Sequence, residues 1–262
     1  MKKKAIVYST GARSLYIGKL ERQFKRSSAQ ASLLVSLEDA LELKVPGRAE
    51  GVRSTSFLIP AGVDAQIDTH GANVTLFFLD NLNTDFSRLL PKMHNSVQLA
   101  DQTCFYGLAG KGDVVAFGNY LRDTRPALSE VERIAIEWMD HPLRNQLGSD
   151  PRIAHAVDLI KQNHGQNDSV AWLAKQVGLS APWLTILFKQ VMGVPIRRFR
   201  LWHRIFATAA YLEKGETLTD AALKAGFADY AQFSRTYRLL AGGNPSDARD
   251  NTEIHAMGYS LD

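Results

Sequence analysis

Between Lys189 and Leu212 the chain holds no aspartate or glutamate, while Lys189, Arg197, Arg198, Arg200 and Arg204 all fall there. Ammonium and guanidinium groups gathered in this way suit phosphate, because each can neutralise one charge of a polyanion. A solvated helix face is the plainer reading of the same run. By three- and four-residue spacing Arg197, Arg200 and Arg204 share one helical face, with Arg198 to the side. Further on, Gln232, Arg235 and Arg238 offer amide and guanidinium donors of the kind that read base edges. Other chemistries are poorly provided for. His70 and His94 do not form a His-x-His pair, Cys104 has no neighbouring base, and no glycine loop is built to cradle a phosphate. Neither a catalytic set nor a metal or cofactor site is expected.

The elements that must position these groups divide the chain. With 262 residues, 45% hydrophobic and 22% charged, it is long enough for two ordinary domains and too apolar for disorder. The net charge of +4 says little alone; the clustering of its cations says more. No apolar run approaches the roughly 18 residues of a membrane span. The basic start Met1-Lys2-Lys3-Lys4 gives way too soon to Ser9-Thr10-Gly11-Ala12-Arg13 for a signal peptide, and a single cysteine excludes an internal disulfide. A cytoplasmic location without membrane contact is the expectation.

The first third reads as β. Ala31–Leu37, Leu41–Val45, Thr55–Ile59 and Val74–Leu79 are short, apolar or alternating, and separated by Pro46-Gly47, Pro60-Ala61-Gly62 and His70-Gly71-Ala72-Asn73. A sandwich or small barrel follows from that spacing. Residues 84–122 have mixed periodicity and are read as helical. A helix is expected from about Ser129, as cap, to Met139, with Glu132 as capping-box partner and Val131, Ile134, Ala135 and Trp138 on one face. Asp140–Asp150 reads as a linker. Beyond it Pro151 opens a helix whose stripe is Ile153, Ala156, Val157 and Ile160, ended by Gly165.

The strongest signal is an internal repeat. Ala174, Gly178 and Leu179 recur 48 residues later as Ala222, Gly226 and Phe227, and Leu184, Phe188 and Gly193 recur 49 residues later as Phe233, Tyr237 and Gly242. In each copy a short helix ends at a glycine able to take positive φ, an apolar residue plugs the corner, and a second helix begins at a polar cap. The small alanine lets the second helix cross closely, which is the logic of a helix-turn-helix. Leu184, Leu187, Phe188 and Val191 face inward in the first unit, as do Phe233, Tyr237 and Leu240 in the second. The outward sets are then Pro182, Thr185, Ile186 and Lys189, and Ala231, Gln232, Arg235 and Arg238. A basic helix from about Pro195 to Lys214 joins the units. Two hairpins packed only for stability would share part of this pattern.

Ala174-x3-Gly178-Leu179-Ser180, Leu184-x3-Phe188-Lys189, Thr219-Asp220-x-Ala222-x3-Gly226-Phe227-x-Asp229, and Phe233-Ser234-Arg235-x-Tyr237-Arg238 with Pro245 resemble the AraC family of regulators, over roughly Pro151–Asp250. The resemblance implies two helix-turn-helix units in successive major-groove segments. By position it assigns base contact to Thr185 and Ile186, and to Ala231, Gln232 and Arg235. Ile186 departs from the pattern, since a long polar or basic side chain is common there; it and Pro182 can touch a thymine methyl but donate no hydrogen bond. Leu15-Tyr16-Ile17-Gly18 and Phe57-Leu58-Ile59-Pro60-Ala61-Gly62 resemble the cupin-like sensor domain that precedes this module.

The expected fold is therefore α+β. A β-rich, cupin-like sensor or dimerisation domain spans 1–122, a helix and linker 123–150, and an all-α double helix-turn-helix domain 151–262. The expected function is sequence-specific transcription regulation, without enzymatic activity. Double-stranded DNA, RNA polymerase, a second copy of the chain and a small-molecule effector are the expected partners, with Arg197, Arg200 and Arg204 on phosphate. A cupin-like enzyme with a helical appendage and a protein-interaction module remain as rival readings.

Overall fold

The computed structural model describes residues 4–9, 13–82, 85–139 and 150–256. The N-terminal strands are β1 (Ala5–Ser9), β2 (Ser14–Lys19), β3 (Gln23–Arg26), β4 (Ser32–Ser36), β5 (Leu41–Leu43), β6 (Val52–Ser54), β7 (Ser56–Ile59), β8 (Ala65–Asp68) and β9 (Asn73–Phe78). All four strands expected here form, within two residues at each end. His70 stands in the β8–β9 turn with positive φ (50°), and its ring reaches Asp68 at 3.2 Å.

Residues 84–122 depart from the helical expectation. Helix α1 (Asp85–Leu89) and a 3-10 turn (Leu90–Lys92) lead into a hairpin of β10 (Met93–Leu99) and β11 (Gln102–Leu108), followed by α2 (Lys111–Thr124). Strand β10 lies at a sheet edge and exposes His94, Asn95, Ser96 and Gln98, so it lacks the alternation that marks a half-buried strand. Helix α2 also carries the N-terminal domain past residue 122. Helix α3 (Leu128–Met139) begins one residue before Ser129, with the Glu130 and Val131 amides on the Ala127 carbonyl. Val131 is buried in the β-domain core beside Leu121 and Leu128. The expected Glu132, Ala135 and Trp138 side chains, and all the expected linker except Asp150, lie outside what is described. Asp150 is no linker residue: it caps the next helix, accepting from the Arg152 amide at 2.9 Å.

That next helix, α4 (Pro151–Gln162), ends at Asn163 rather than Gly165. It is followed by α5 (Val170–Gln176), α6 (Ala181–Met192), α7 (Ile196–Glu213), α8 (Leu218–Lys224), α9 (Tyr230–Leu240), α10 (Pro245–Asn251) and β12 (Thr252–Ala256). The final strand corrects the all-α expectation for 151–262. It pairs in parallel with β1, Ala5 opposite Thr252 through Ser9 opposite Ala256, and so completes the N-terminal sheet. Five residues with one strongly apolar member, Ile254, gave no strand signal. The sheets run β10-β11-β7-β4-β9-β2-β1-β12 and β3-β8-β5-β6. Between them lies a core of Phe24, Leu34, Leu43, Phe57, Ile67 and Val74, while α2 covers the outer face of the larger sheet.

Helix α7 exposes Arg197 at its start but buries Ile196, Phe199, Trp202, Ile205, Phe206 and Ala207. It therefore sits at the centre of the C-terminal core and also meets the β-domain. Trp202 packs edge-on against Phe78 at 5.1 Å and its indole N–H donates to Gln30 Oε1 at 2.9 Å. Arg198 donates to Ser27 Oγ and to the Gly62 carbonyl at 3.4 Å; the Ser27 amide donates to the Leu239 carbonyl at 3.1 Å. Asn81 bridges the Ala29 and Met192 carbonyls, at 2.9 Å each. No helix among the described residues is long and apolar enough to cross a membrane.

His203, on the same helix, is 1% exposed, and burial holds its pKa well below the usual histidine value, helped by Lys161 and His164. Burial lowers His164 as well. The unfolded chain takes up protons near pH 6.5 that these folded imidazoles refuse, so stability is full above that pH and falls below it, by up to about 1.4 kcal/mol per pH unit for each histidine. Denaturant melts at pH 7.5 and 5.5 should show a smaller loss for His203→Gln than for the wild type. An equal loss in both would contradict the burial argument.

Candidate nucleic-acid interface

Each half of the repeat forms the local structure its residues dictate. In the first unit, α5 starts at Ser169, which accepts from the Trp172 amide at 3.0 Å, and stops at Gly178 with φ of 68°. In the second, α8 starts at Thr217, which accepts from the Asp220 amide at 3.1 Å, and stops at Gly226 with φ of 93°. The corner residues repeat the same bond: the Leu179 amide donates to the Ala174 carbonyl at 2.9 Å and the Phe227 amide to the Ala222 carbonyl at 3.1 Å. This six-residue closure satisfies a carbonyl that the helix end leaves free. Ser180 and Asp229 then cap α6 and α9, accepting from the Trp183 and Gln232 amides at 3.4 and 2.6 Å. Ala174 and Ala222 are buried at the crossings, and Leu184, Phe188, Phe233 and Leu240 fill the core.

What is left outward on α6 is Pro182, Thr185, Ile186 and Lys189, all exposed, with Ile186 at 50%. The Thr185 hydroxyl donates back to the Ala181 carbonyl at 2.9 Å, which leaves it as an acceptor. On α9, Ala231, Arg235 and Arg238 are exposed and Gln232 is half-buried. Gln232 Oε1 accepts from the Ala228 amide at 2.8 Å, so this amide closes the start of its own helix. Bidentate pairing with adenine, which needs both its oxygen and its nitrogen, would break that bond. Among the described residues the Arg235 guanidinium carries no such commitment.

The basic stretch separates in an instructive way. Arg197 is exposed at the first turn of α7. Arg200 is half-buried and donates to the Asp168 carbonyl. Arg204 is only 7% exposed and spends its donors on the α4–α5 loop: the His164 carbonyl at 2.9 Å, the Gln166 carbonyl at 3.0 Å and Asn167 Oδ1 at 2.8 Å. Its assignment to phosphate is corrected by this geometry, and that of Arg200 is weakened, because their shared helical face dips beneath the loop. Arg198, set aside on spacing, is the cation that faces the β-domain, 3.7 Å from Asp64. Sequence reasoning also passed over Trp183, which is 48% exposed on α6, three residues before Ile186. Its place beside Pro182 on the outward side was readable from helical spacing, but tryptophan is ordinarily assigned to a core.

Between the domains lies a cavity of about 900 Å³. Tyr16, Leu76 and Phe78 wall it on one side, Trp202, Phe206 and Phe233 on the other.

Comparison with known proteins agrees with this geometry. The helix-turn-helix domain family matches residues 173–251. An uncharacterized helix-turn-helix-type transcriptional regulator of Staphylococcus aureus is 29% identical over 102 residues, which is 38% of this chain; the chain spans only 14% of that relative's length. Among solved structures, an apo variant of ToxT from Vibrio cholerae superposes with a TM-score of 0.59 at 12% identity, covering 93% of this chain and 99% of its own. Wild-type ToxT bound to an unsaturated fatty acid gives 0.54 at 12% identity, with 96% and 98% covered. At such identity the likeness is one of fold, and it extends over both domains.

The two corner glycines yield a graded expectation. Both adopt a left-handed φ, but a Cβ at Gly178 meets nothing within 4 Å, whereas at Gly226 it would lie 2.8 Å from the His164 carbonyl. Gly178→Ala should cost about 1–2 kcal/mol from backbone strain alone. Gly226→Ala should cost clearly more, because backbone must also move. Chemical denaturation of the two variants checks this, and equal costs would refute the packing of the second corner against the α4–α5 loop.

Proposed function

From the premise that the C-terminal domain is an AraC-type helix-turn-helix domain, we propose that the chain is a sequence-specific DNA-binding transcription regulator. The observation that carries this is the pair of helices α6 and α9, each starting at a polar cap beyond a glycine corner and each presenting an exposed outward face. Phosphate contact from Lys189, Arg197 and Arg238 positions the domain, and base contact specifies the site. Arg235 is the main hydrogen-bonding reader, to guanine, while Pro182, Ile186 and Trp183 read the first segment through apolar contact, chiefly to thymine methyls. Gln232 contributes from its free amide nitrogen, and Thr185 and Ala231 flank the bases.

The β-domain serves as sensor and as the means of self-association. A cavity between the domains supports an effector role, as does the fold shared with ToxT, one solved form of which carries an unsaturated fatty acid. Val131 is turned into its own domain core, so an exposed sheet edge such as β10 suits a second copy better than the apolar face of α3. RNA polymerase is the partner through which a bound regulator would set promoter output, and such work belongs in the cytoplasm.

Binding measured on a selected genomic fragment and on random duplex, across a salt series, tests the reading. Arg235→Ala should cost about 1–3 kcal/mol on the selected site and relax the preference at one base pair. Arg197→Ala should lower the salt slope by roughly one unit on both duplexes. Arg204→Ala should leave the slope unchanged and lower the melting temperature instead. Equal losses for Arg235→Ala on both duplexes would make that residue a phosphate contact.

A further inference from the structure

Pro182, Trp183, Thr185 and Ile186 are exposed within the first two turns of α6, the part of a recognition helix that meets base edges. Trp183 is 48% and Ile186 50% exposed, and at three-residue spacing they share one face. Leu184 and Phe188 of the same helix are fully buried, so half of each outward apolar side chain is left without a place in the core. An apolar patch of this kind marks a contact surface. Proline and isoleucine donate no hydrogen bond, and the Thr185 hydroxyl spends its one proton on the Ala181 carbonyl at 2.9 Å. Its oxygen keeps free lone pairs, so Thr185 stands as an acceptor next to the apolar Ile186. In α9, 49 residues on, the positions of Pro182, Trp183 and Ile186 are taken by Ala231, Gln232 and Arg235. Amide and guanidinium donors occupy that face instead. The two helices therefore suit different groups.

The surroundings of this patch suit a polyanion. No carboxylate occurs between Asp168 and Glu213, Lys189 stands exposed one turn beyond Ile186, and Arg197 opens α7. In a major groove the apolar feature is the C5 methyl group of a pyrimidine. Thymine carries that methyl beside an acceptor, O4. A 5-methylcytosine carries it beside a donor, the N4 amino group, and an acceptor next to an apolar side chain is the complement of this second arrangement. Unmethylated cytosine presents the amino group but leaves Ile186 without a methyl to cover. We propose that the first unit recognises a C5-methylated pyrimidine and prefers 5-methylcytosine to cytosine, with the methyl against Ile186 and Trp183 and the amino group donating to Thr185 Oγ1. Binding to DNA then responds to cytosine methylation of the site. Arg235 in the second unit addresses guanine acceptors, which that modification leaves untouched, so the response belongs to one half of the site. This inference rests on the DNA-reading role proposed above and names the base chemistry, and the covalent mark, to which its first unit answers.

The test is an anisotropy titration of the full chain with synthetic duplexes of its selected genomic fragment. Every base pair holds one pyrimidine, so a methyl can be removed or added at each position in turn, thymine to uracil or cytosine to 5-methylcytosine. Within the segment read by α6, one or two positions should bind roughly 3- to 10-fold more tightly when methylated, the worth of burying one methyl group. Ile186→Ala should erase that difference, whereas Arg235→Ala should weaken binding and keep it. Thr185→Val preserves the side-chain shape without its oxygen, and should shift the preference at that position from 5-methylcytosine toward thymine. Because the decisive changes are made in the DNA, the wild type alone tests the methyl effect if a variant does not fold. No methyl effect at any position, on a fragment whose recognition Arg235→Ala still relaxes, would overturn the methyl reading and leave the regulator standing. An effect of thymine alone, with 5-methylcytosine no better than cytosine, would overturn the response to methylation. A methyl effect that survives Ile186→Ala would overturn the assignment to this face. Absence of any preferred fragment would overturn this inference and the proposed function together.

Discussion

The burial of α7 is the constraint on which the rest of the molecule depends. An eighteen-residue helix that carries Phe199, Trp202, Ile205, Phe206 and Ala207 must have those groups enclosed by other elements. Phe188 of the first unit packs on Phe199, Ala222 and Phe233 of the second close on the same core, and Phe78 of the β-domain covers Trp202. The relative placement of α6 and α9 is thus inherited from one helix. Part of the sheet's attachment rests on it too, since Trp202 and Arg198 reach Gln30, Ser27 and Gly62. The two helix-turn-helix units and the β-domain share a single core element.

Much of this was legible in the sequence because it depended on local physics. A glycine at a corner, an apolar plug one residue later and a serine, threonine or aspartate at each helix start are short-range requirements, and the chain meets them twice. The same holds for the inward and outward sets on α6 and α9, which follow from helical periodicity alone. The strands from 31 to 79 were readable because turn residues bound them closely.

What escaped depended on tertiary partners. Arg204 has the spacing of a phosphate ligand, and nothing in its neighbourhood announces that the loop at His164–Asn167 will fold over it. Arg198 looked peripheral for the converse reason, since its acceptors lie more than 130 residues away. Strand β12 forms only because β1 presents an open edge, and β10 is too polar to declare itself. In each case the deciding group is distant along the chain.

The central claim is that α6 and α9, held by α7, read two successive major-groove segments of one duplex. Hydroxyl-radical footprinting on a fragment selected from genomic DNA tests it most directly. Two protected segments should appear on one face of the helix, centred about 10 base pairs apart. Arg235→Ala should weaken one of them and Ile186→Ala the other. A single protected segment, or uniform protection with no preferred fragment, would contradict the account.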